Sequence, residues 1–173
     1  MARIEDTTGR DVLLEASGLK RGHVLDIGVG GCACMAFYLA GKGFDVTGID
    51  RSPHAIHGAR QNALRKRFKG TFEARKADAT NMPFEDGTFD AVISFHSLHH
   101  MDRPDVAIRE MFRVCRPGGV VLIADLHDTG RKLYKHEPDG GRLLETVDRI
   151  ARGLSQSVRV RDTRLDRLFV CRK

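Results

Sequence analysis

No stretch of this chain stays apolar for the roughly 18 to 20 residues that a bilayer crossing needs. The opening "MARIEDTTGRD" also lacks the apolar core of a secretion leader. The four cysteines, Cys32, Cys34, Cys115 and Cys171, form no C-x-x-C pair. That argues against a disulfide framework or a zinc ribbon, and for reduced thiols in a cytoplasmic protein. There is no internal repeat, no linker and no low-complexity segment among the 173 residues, so a single domain spanning 1–173 is expected. An apolar fraction of 41% beside a charged fraction of 30% excludes bulk disorder. The net charge of +6 would ease the approach of an anionic partner such as RNA without identifying one.

What is present begins with "VLDIGVGGCACMAFYLA", residues 24–40, an apolar run that breaks on glycines and resumes at helical spacing. It reads as strand, tight turn and helix, the build of a nucleotide cradle. A short helix within "GRDVLLEASGLK", ended by Gly18, precedes it. The helix after the turn runs from about Cys32 to Ala40 and closes on Gly41 and Gly43. "FDVTGID" is a second strand, and Ser52-Pro53 start a helix as N-cap and first residue. "TFEARKAD", "FDAVISF" and "GVVLIAD" supply three more strands; "PDVAIREMFRVC", terminated by "RPGG", and "GRLLETVDRIARG" supply helices. Strands alternating with helices mean a parallel sheet covered on both faces. The closing runs "SVRVRD" and "RLFVCRK" leave no room for a crossover, so they pair antiparallel.

Gly28-x-Gly30-x-x-Ala33 satisfies the dinucleotide fingerprint, and Asp50 follows at the expected distance. Asp26, inside the strand that feeds the turn, opposes that reading, because a carboxylate there would repel a pyrophosphate in a low-dielectric site. A cofactor that brings positive charge and no phosphate suits it, and S-adenosylmethionine, with a sulfonium and an ammonium, has that character. Asp50 can accept two hydrogen bonds from a ribose diol. Asp78, just past the third strand, can accept the amino hydrogen of an adenine, with the Ala79 amide donating to a ring nitrogen. Met82 and Pro83 would give that ring apolar contact. Three carboxylates at the C-terminal edge of one parallel sheet fall where open α/β sheets bind ligands.

The stretches "VLDIGVGG", "VTGID", "ADATNMPFEDGTFDAVIS", "LHHMDRP" and "RVCRPGGVVLIAD" together make the chain resemble the class I S-adenosylmethionine-dependent methyltransferases. It looks most like the small-molecule branch that includes the ubiquinone and menaquinone biosynthesis methyltransferases. The resemblance implies a three-layer αβα Rossmann-like fold, with a seven-stranded sheet of order 3-2-1-4-5-7-6 and strand seven antiparallel. It implies that the Asp26-Gly28-Gly30 turn holds the methionine end of the cofactor, Asp50 the ribose, and Asp78 with Ala79 the adenine. Two positions depart from the family pattern: Cys32 stands where a third glycine is usual, and Arg51 where an apolar residue is usual. A guanidinium can still lie flat on an adenine face. The cofactor-binding set expected is Asp26, Gly28, Val29, Gly30, Asp50, Arg51, Asp78, Ala79 and Phe95.

Methyl transfer from a sulfonium needs alignment first, and a general base only where the nucleophile carries a proton. His96 and His127, beyond the fourth and fifth strands, are the candidates to face an acceptor. His99 and His100 belong to a Leu-His-His that the family often carries, which suggests loop packing. Histidines and aspartates leave adjacent strand ends without tight ligand spacing, so no metal site is expected. Ser94-Phe95-His96-Ser97 replaces the Asn/Asp-Pro-Pro-Tyr tetrapeptide of amide and adenine methyltransferases, which disfavours those targets.

Little chain is available for a lid, so an open mouth is expected, which favours a bulky substrate, a macromolecule or a second copy completing the pocket; a small-molecule methyl acceptor is the reading preferred. The arginines of "SVRVRDTRLDR" read first as a solvated strand face. An RNA-contacting edge is the sharper alternative, with no aromatic interleaving to support it. RNA or protein methylation, a non-catalytic cofactor-binding subunit and an NAD-binding module are the competing functions.

Overall fold

Apolar residues alternate along the central strands between two sides, and that alternation divides the molecule into layers. The computed structural model describes residues 7–173; residues 1–6 of the expected domain lie outside the described residues. Seven strands, β1 (His23–Ile27), β2 (Asp45–Asp50), β3 (Thr71–Lys76), β4 (Phe89–Phe95), β5 (Cys115–Leu126), β6 (Ser157–Asp162) and β7 (Asp166–Arg172), form one sheet. Its order is β3-β2-β1-β4-β5-β7-β6. Strands β1 to β5 pair parallel, whereas β7 runs antiparallel to both β5 and β6. Both the expected order and the antiparallel seventh strand are present.

The helices are α1 (Thr7–Ser17), α2 (Cys34–Lys42), α3 (Pro53–Ala63), α4 (Pro104–Val114), α5 (Asp128–Leu133) and α6 (Arg142–Leu154). Leu25, Val92, Val121, Ile123 and Phe169 meet Ile108 and Met111 of α4 and Val147 and Ile150 of α6 in one core. Their strand neighbours Val24, Ala91, Ile93, Leu122 and Leu168 join Leu13 of α1, Ala36 and Leu39 of α2 and Ile56 of α3 in the other. The period of two is what sends successive residues of a strand to opposite faces. Asp26 sits in register between Gly48 of β2 and Ile93 of β4, on the side-chain parity of Val24, and so faces the layer that contains α2.

Three local expectations are corrected. Helix α2 starts at Cys34, because Ala33 adopts a left-handed φ of 46°. "RPGG" does not lie between α4 and β5 but inside β5, where Cys115 pairs with Phe89 across a register shift. Met82 does not reach a ligand site: it is 3% exposed and packs in the core beside α4. Ser52 does cap α3, its hydroxyl accepting from the Ala55 amide at 3.2 Å, with Pro53 following.

Phe169 is fully buried at the junction of β5, β6 and β7. Phe169→Ala is expected to cost about 3–5 kcal/mol in urea unfolding. Leu64→Ala, at a site 80% exposed, should stay within about 0.5 kcal/mol of the parent.

Candidate functional site

The C-terminal ends of β1, β2 and β4, with the loops that follow them, surround a cleft of about 720 Å³, a size ordinary for a small-molecule site. Its floor is the turn from β1 to α2. Gly28 and Gly30 take φ of 69° and 60°, which only glycine adopts freely. A Cβ on Gly28 would stand 2.5 Å from the Ser97 Cβ, so the turn and the chain after β4 approach at backbone distance. At Gly30 a Cβ would meet nothing, because that position opens to the cleft. Hydrogen bonds hold the turn in place. The Val29 amide donates to the Ile49 carbonyl at 2.9 Å, and the Ser97 hydroxyl to the Ile27 carbonyl at 2.9 Å.

Asp50, at the end of β2, ties this turn to the next. One of its carboxylate oxygens accepts from the Gly30 amide at 3.0 Å and the other from the Ser52 amide at 2.9 Å. Each oxygen retains a lone pair for a diol. Asp78 accepts from the Thr80 amide and hydroxyl through one oxygen, both at 2.8 Å. Those bonds hold its carboxyl below the usual range and leave the other oxygen for a donor. Arg51 reaches across the mouth to Asp102 at 3.1 Å, an exposed pair that spans two walls of the cleft.

Asp26 is 3% exposed, and among the described residues no cation pairs with it. Burial, helped by the neighbouring Cys32 and Asp50, pushes its carboxyl up to about 8; a hydrogen bond from the Ala36 amide opposes this. Ala36 belongs to the first turn of α2, whose N-cap Ala33 offers no side-chain acceptor. The carboxylate therefore serves an otherwise free helix amide. An ammonium group brought to the turn would supply the missing positive partner; a pyrophosphate would worsen the desolvation and repulsion already present.

All nine residues expected to hold a cofactor line this one cleft: Asp26, Gly28, Val29, Gly30, Asp50, Arg51, Asp78, Ala79 and Phe95. His96 lines it too. Its Nε2 lies 2.7 Å from Oδ1 of the fully buried Asp166, and its backbone takes a strained φ of 54°. His127 is not part of the lining; it precedes α5 and its Nε2 lies 3.4 Å from the Thr163 carbonyl.

Arg10 and Tyr134 also line the cleft and carried no sequence signal for it, since α1 and the loop after α5 reach the mouth only through folding; His100 and Met101 line it too, from the "LHHMDRP" stretch whose histidines the sequence assigns to loop packing. His99 is held by Asp125, Nδ1 to Oδ1 at 2.6 Å. His100 and His136 have their protonation disfavoured by burial and by the neighbouring imidazoles.

Residues 25–123 match the family described as a methyltransferase domain. The chain is 31% identical over 159 residues to a ubiquinone/menaquinone biosynthesis C-methyltransferase UbiE of Pseudomonas putida, covering 85% of this chain and 62% of the relative. It is 36% identical over 117 residues to an erythromycin 3''-O-methyltransferase of Saccharopolyspora erythraea, 66% of this chain and 38% of that one. The chain thus spans under two thirds of the length of these relatives. A solved structure described as a putative S-adenosyl-L-methionine-dependent methyltransferase from Methanococcus maripaludis superposes with a TM-score of 0.78 at 20% identity, covering 95% of this chain and 83% of that one. S-adenosylmethionine is the cofactor this family and fold imply, and the donor set fits it: acceptors for an ammonium, a diol and an amino group, around a turn without phosphate-binding charge.

A buried carboxyl with a raised pKa makes cofactor binding pH-dependent. Below pH 8 Asp26 is protonated in the empty cleft and must lose its proton to receive an ammonium. Affinity should therefore rise with pH, by up to about tenfold per unit between pH 6 and 8, and Asp26→Asn should flatten the profile. The same raised pKa means that Asp26's contribution to the stability of the ligand-free fold is complete below about pH 4 and lost as pH rises through 8. Calorimetry across this range, in buffers of differing ionisation enthalpy, reads the released proton directly.

Proposed function

This chain belongs to the class I S-adenosylmethionine-dependent methyltransferases, and we propose that it transfers a methyl group to a hydroxyl or carbon of a small metabolite. The observation that carries the proposal is the convergence of Asp26, Asp50 and Asp78 from three strand ends onto one cleft that His96 also lines. S-adenosylmethionine supplies an activated methyl when bound. The carboxylates fix its orientation, and alignment of this kind is worth on the order of 7–11 kcal/mol.

His96 is the group we assign to the acceptor's proton. Asp166 holds Nε2, which places the ring's proton on that nitrogen and leaves Nδ1 free to accept. His96 Nδ1 would take the proton that the acceptor oxygen or carbon gives up on methylation, and S-adenosylmethionine, held by the carboxylates, would supply the methyl group. Phe95 stacks on His96, with ring centroids 4.2 Å apart, and Tyr134 and Met101 complete an apolar wall. That wall suits a ring or an alkyl chain better than a phosphate backbone.

Two of the four arginines in the basic segment after α6 are engaged within the fold, which weakens the case for RNA. Arg159 bonds to the Ala16 carbonyl and Arg167 forms a two-point pair with Asp162 at 2.7 and 2.9 Å. The relatives named above are described as a ubiquinone/menaquinone biosynthesis C-methyltransferase and an erythromycin 3''-O-methyltransferase, and neither name points to a polymer.

Release of S-adenosylhomocysteine over a panel of phenols, quinols and hydroxylated macrolides tests the reading, and turnover confined to RNA or protein acceptors would remove it. Asp50→Ala should weaken cofactor binding by about 1.5–3 kcal/mol. His96→Gln should lower kcat by roughly 10²–10⁴-fold for a protonated acceptor while leaving cofactor affinity near that of the parent.

A further inference from the structure

Beside the cleft, three imidazoles crowd one another in a manner that cofactor binding does not explain. His99 and His100 close the single 3-10 turn Leu98–His100 after β4, and His136 returns from the loop after α5. One ring nitrogen of each lies within 4.8 Å of those of the other two. The ring centroids of His99 are 4.0 Å from those of His100 and 4.7 Å from those of His136.

The orientation of His99 is fixed from behind. Asp125, fully buried at the end of β5, accepts at Oδ1 from its Nδ1 at 2.6 Å, and the Leu126 amide anchors the same oxygen at 2.8 Å. Nε2 is therefore the nitrogen with a free lone pair. The side chain is only 3% exposed, and Nε2 is buried with no hydrogen-bond partner. Leaving such an atom unsatisfied costs about 1–3 kcal/mol. Aromatic packing alone would be met as well by phenylalanine and gives no use for that nitrogen.

A carboxylate behind one histidine, with that histidine's other nitrogen presented to two more imidazoles, is the arrangement by which proteins orient metal ligands. We propose that His99, His100 and His136 bind a borderline divalent cation of the Zn²⁺ type. Imidazole nitrogens suit zinc, and three protein ligands leave a tetrahedral ion one position for a water or an acceptor oxygen. The loop carrying His136 is secured for this. The His136 amide donates to the Arg131 carbonyl at 2.8 Å, and the Arg131 guanidinium is paired with Asp139 at 2.9 Å. That pairing also offsets the positive charge that Arg131 brings towards His100 and His136. His100 lines the cleft, so the cation sits in its wall. On the reading that the cleft receives a hydroxylated acceptor, the fourth position takes the acceptor's oxygen.

The 173-residue chain, stripped with a chelator, is titrated with Co²⁺ and followed by visible absorption. A Cys32→Ser/Cys34→Ser background removes the two exposed thiols as competing ligands. One Co²⁺ per chain is expected, with the intense bands of tetrahedral coordination, displaced by Zn²⁺. His136→Gln and His100→Gln, both outside the core, should each weaken uptake by more than about 100-fold, and Asp125→Asn by roughly 10–100-fold. No stoichiometric uptake, or uptake indifferent to these histidines, would overturn the proposal. Metal uptake is read without turnover, so its failure and a failure of methyl transfer are seen separately.

Discussion

A carboxylate buried beneath a glycine turn constrains everything around it. Asp26 cannot be solvated, has no cationic partner among the described residues, and leans on one amide of the first turn of α2. Its neighbours accommodate it: Gly48 lies beside it in register on β2, and the turn above it runs through two left-handed glycines. A fold that buries an acid in such a place, neutral while the cleft is empty, suits a ligand whose positive charge stabilises the ionised form. On the proposed reading the turn favours a cationic methionine end over a pyrophosphate, although the glycine spacing alone would serve either.

The rest of the cleft follows from the parallel sheet. Because β1, β2 and β4 run in the same direction, their C-terminal ends open on one side and deliver Asp26, Asp50 and His96 to a common space. Asp50 couples two turns through Gly30 and Ser52, so the carboxylate proposed to hold the ribose is also a structural strut. On the far wall the histidines after β4 are held by buried carboxylates from β5 and β7. Asp125 holds His99, and Asp166 holds His96. One His–Asp pair, through Nε2 of His96, thus lines the cleft, and the other, through Nδ1 of His99, backs a ring that meets two more imidazoles.

Much of this was legible in the sequence because local signals and the global fold agree. The glycine turn, the carboxylates at strand ends and the closing antiparallel pair each had a short-range cause, and each is present. What was not legible depends on long-range packing. Nothing in "MPF" tells a reader that Met82 enters the core beneath α4 instead of the cleft. His99 and His136 are 37 positions apart and became neighbours only through the loop that Arg131 and Asp139 tie down. Strand β5 begins early because a register shift against Phe89 absorbs "RPGG", which by composition reads as a loop.

The most direct test of the central claim is calorimetric titration with S-adenosylmethionine, S-adenosylhomocysteine and NADH, side by side at one pH. Micromolar binding of the first two and none of the third is the result that a buried, uncompensated Asp26 requires. Binding of NADH alone would contradict it, because the turn would then be accepting the pyrophosphate its carboxylate should repel.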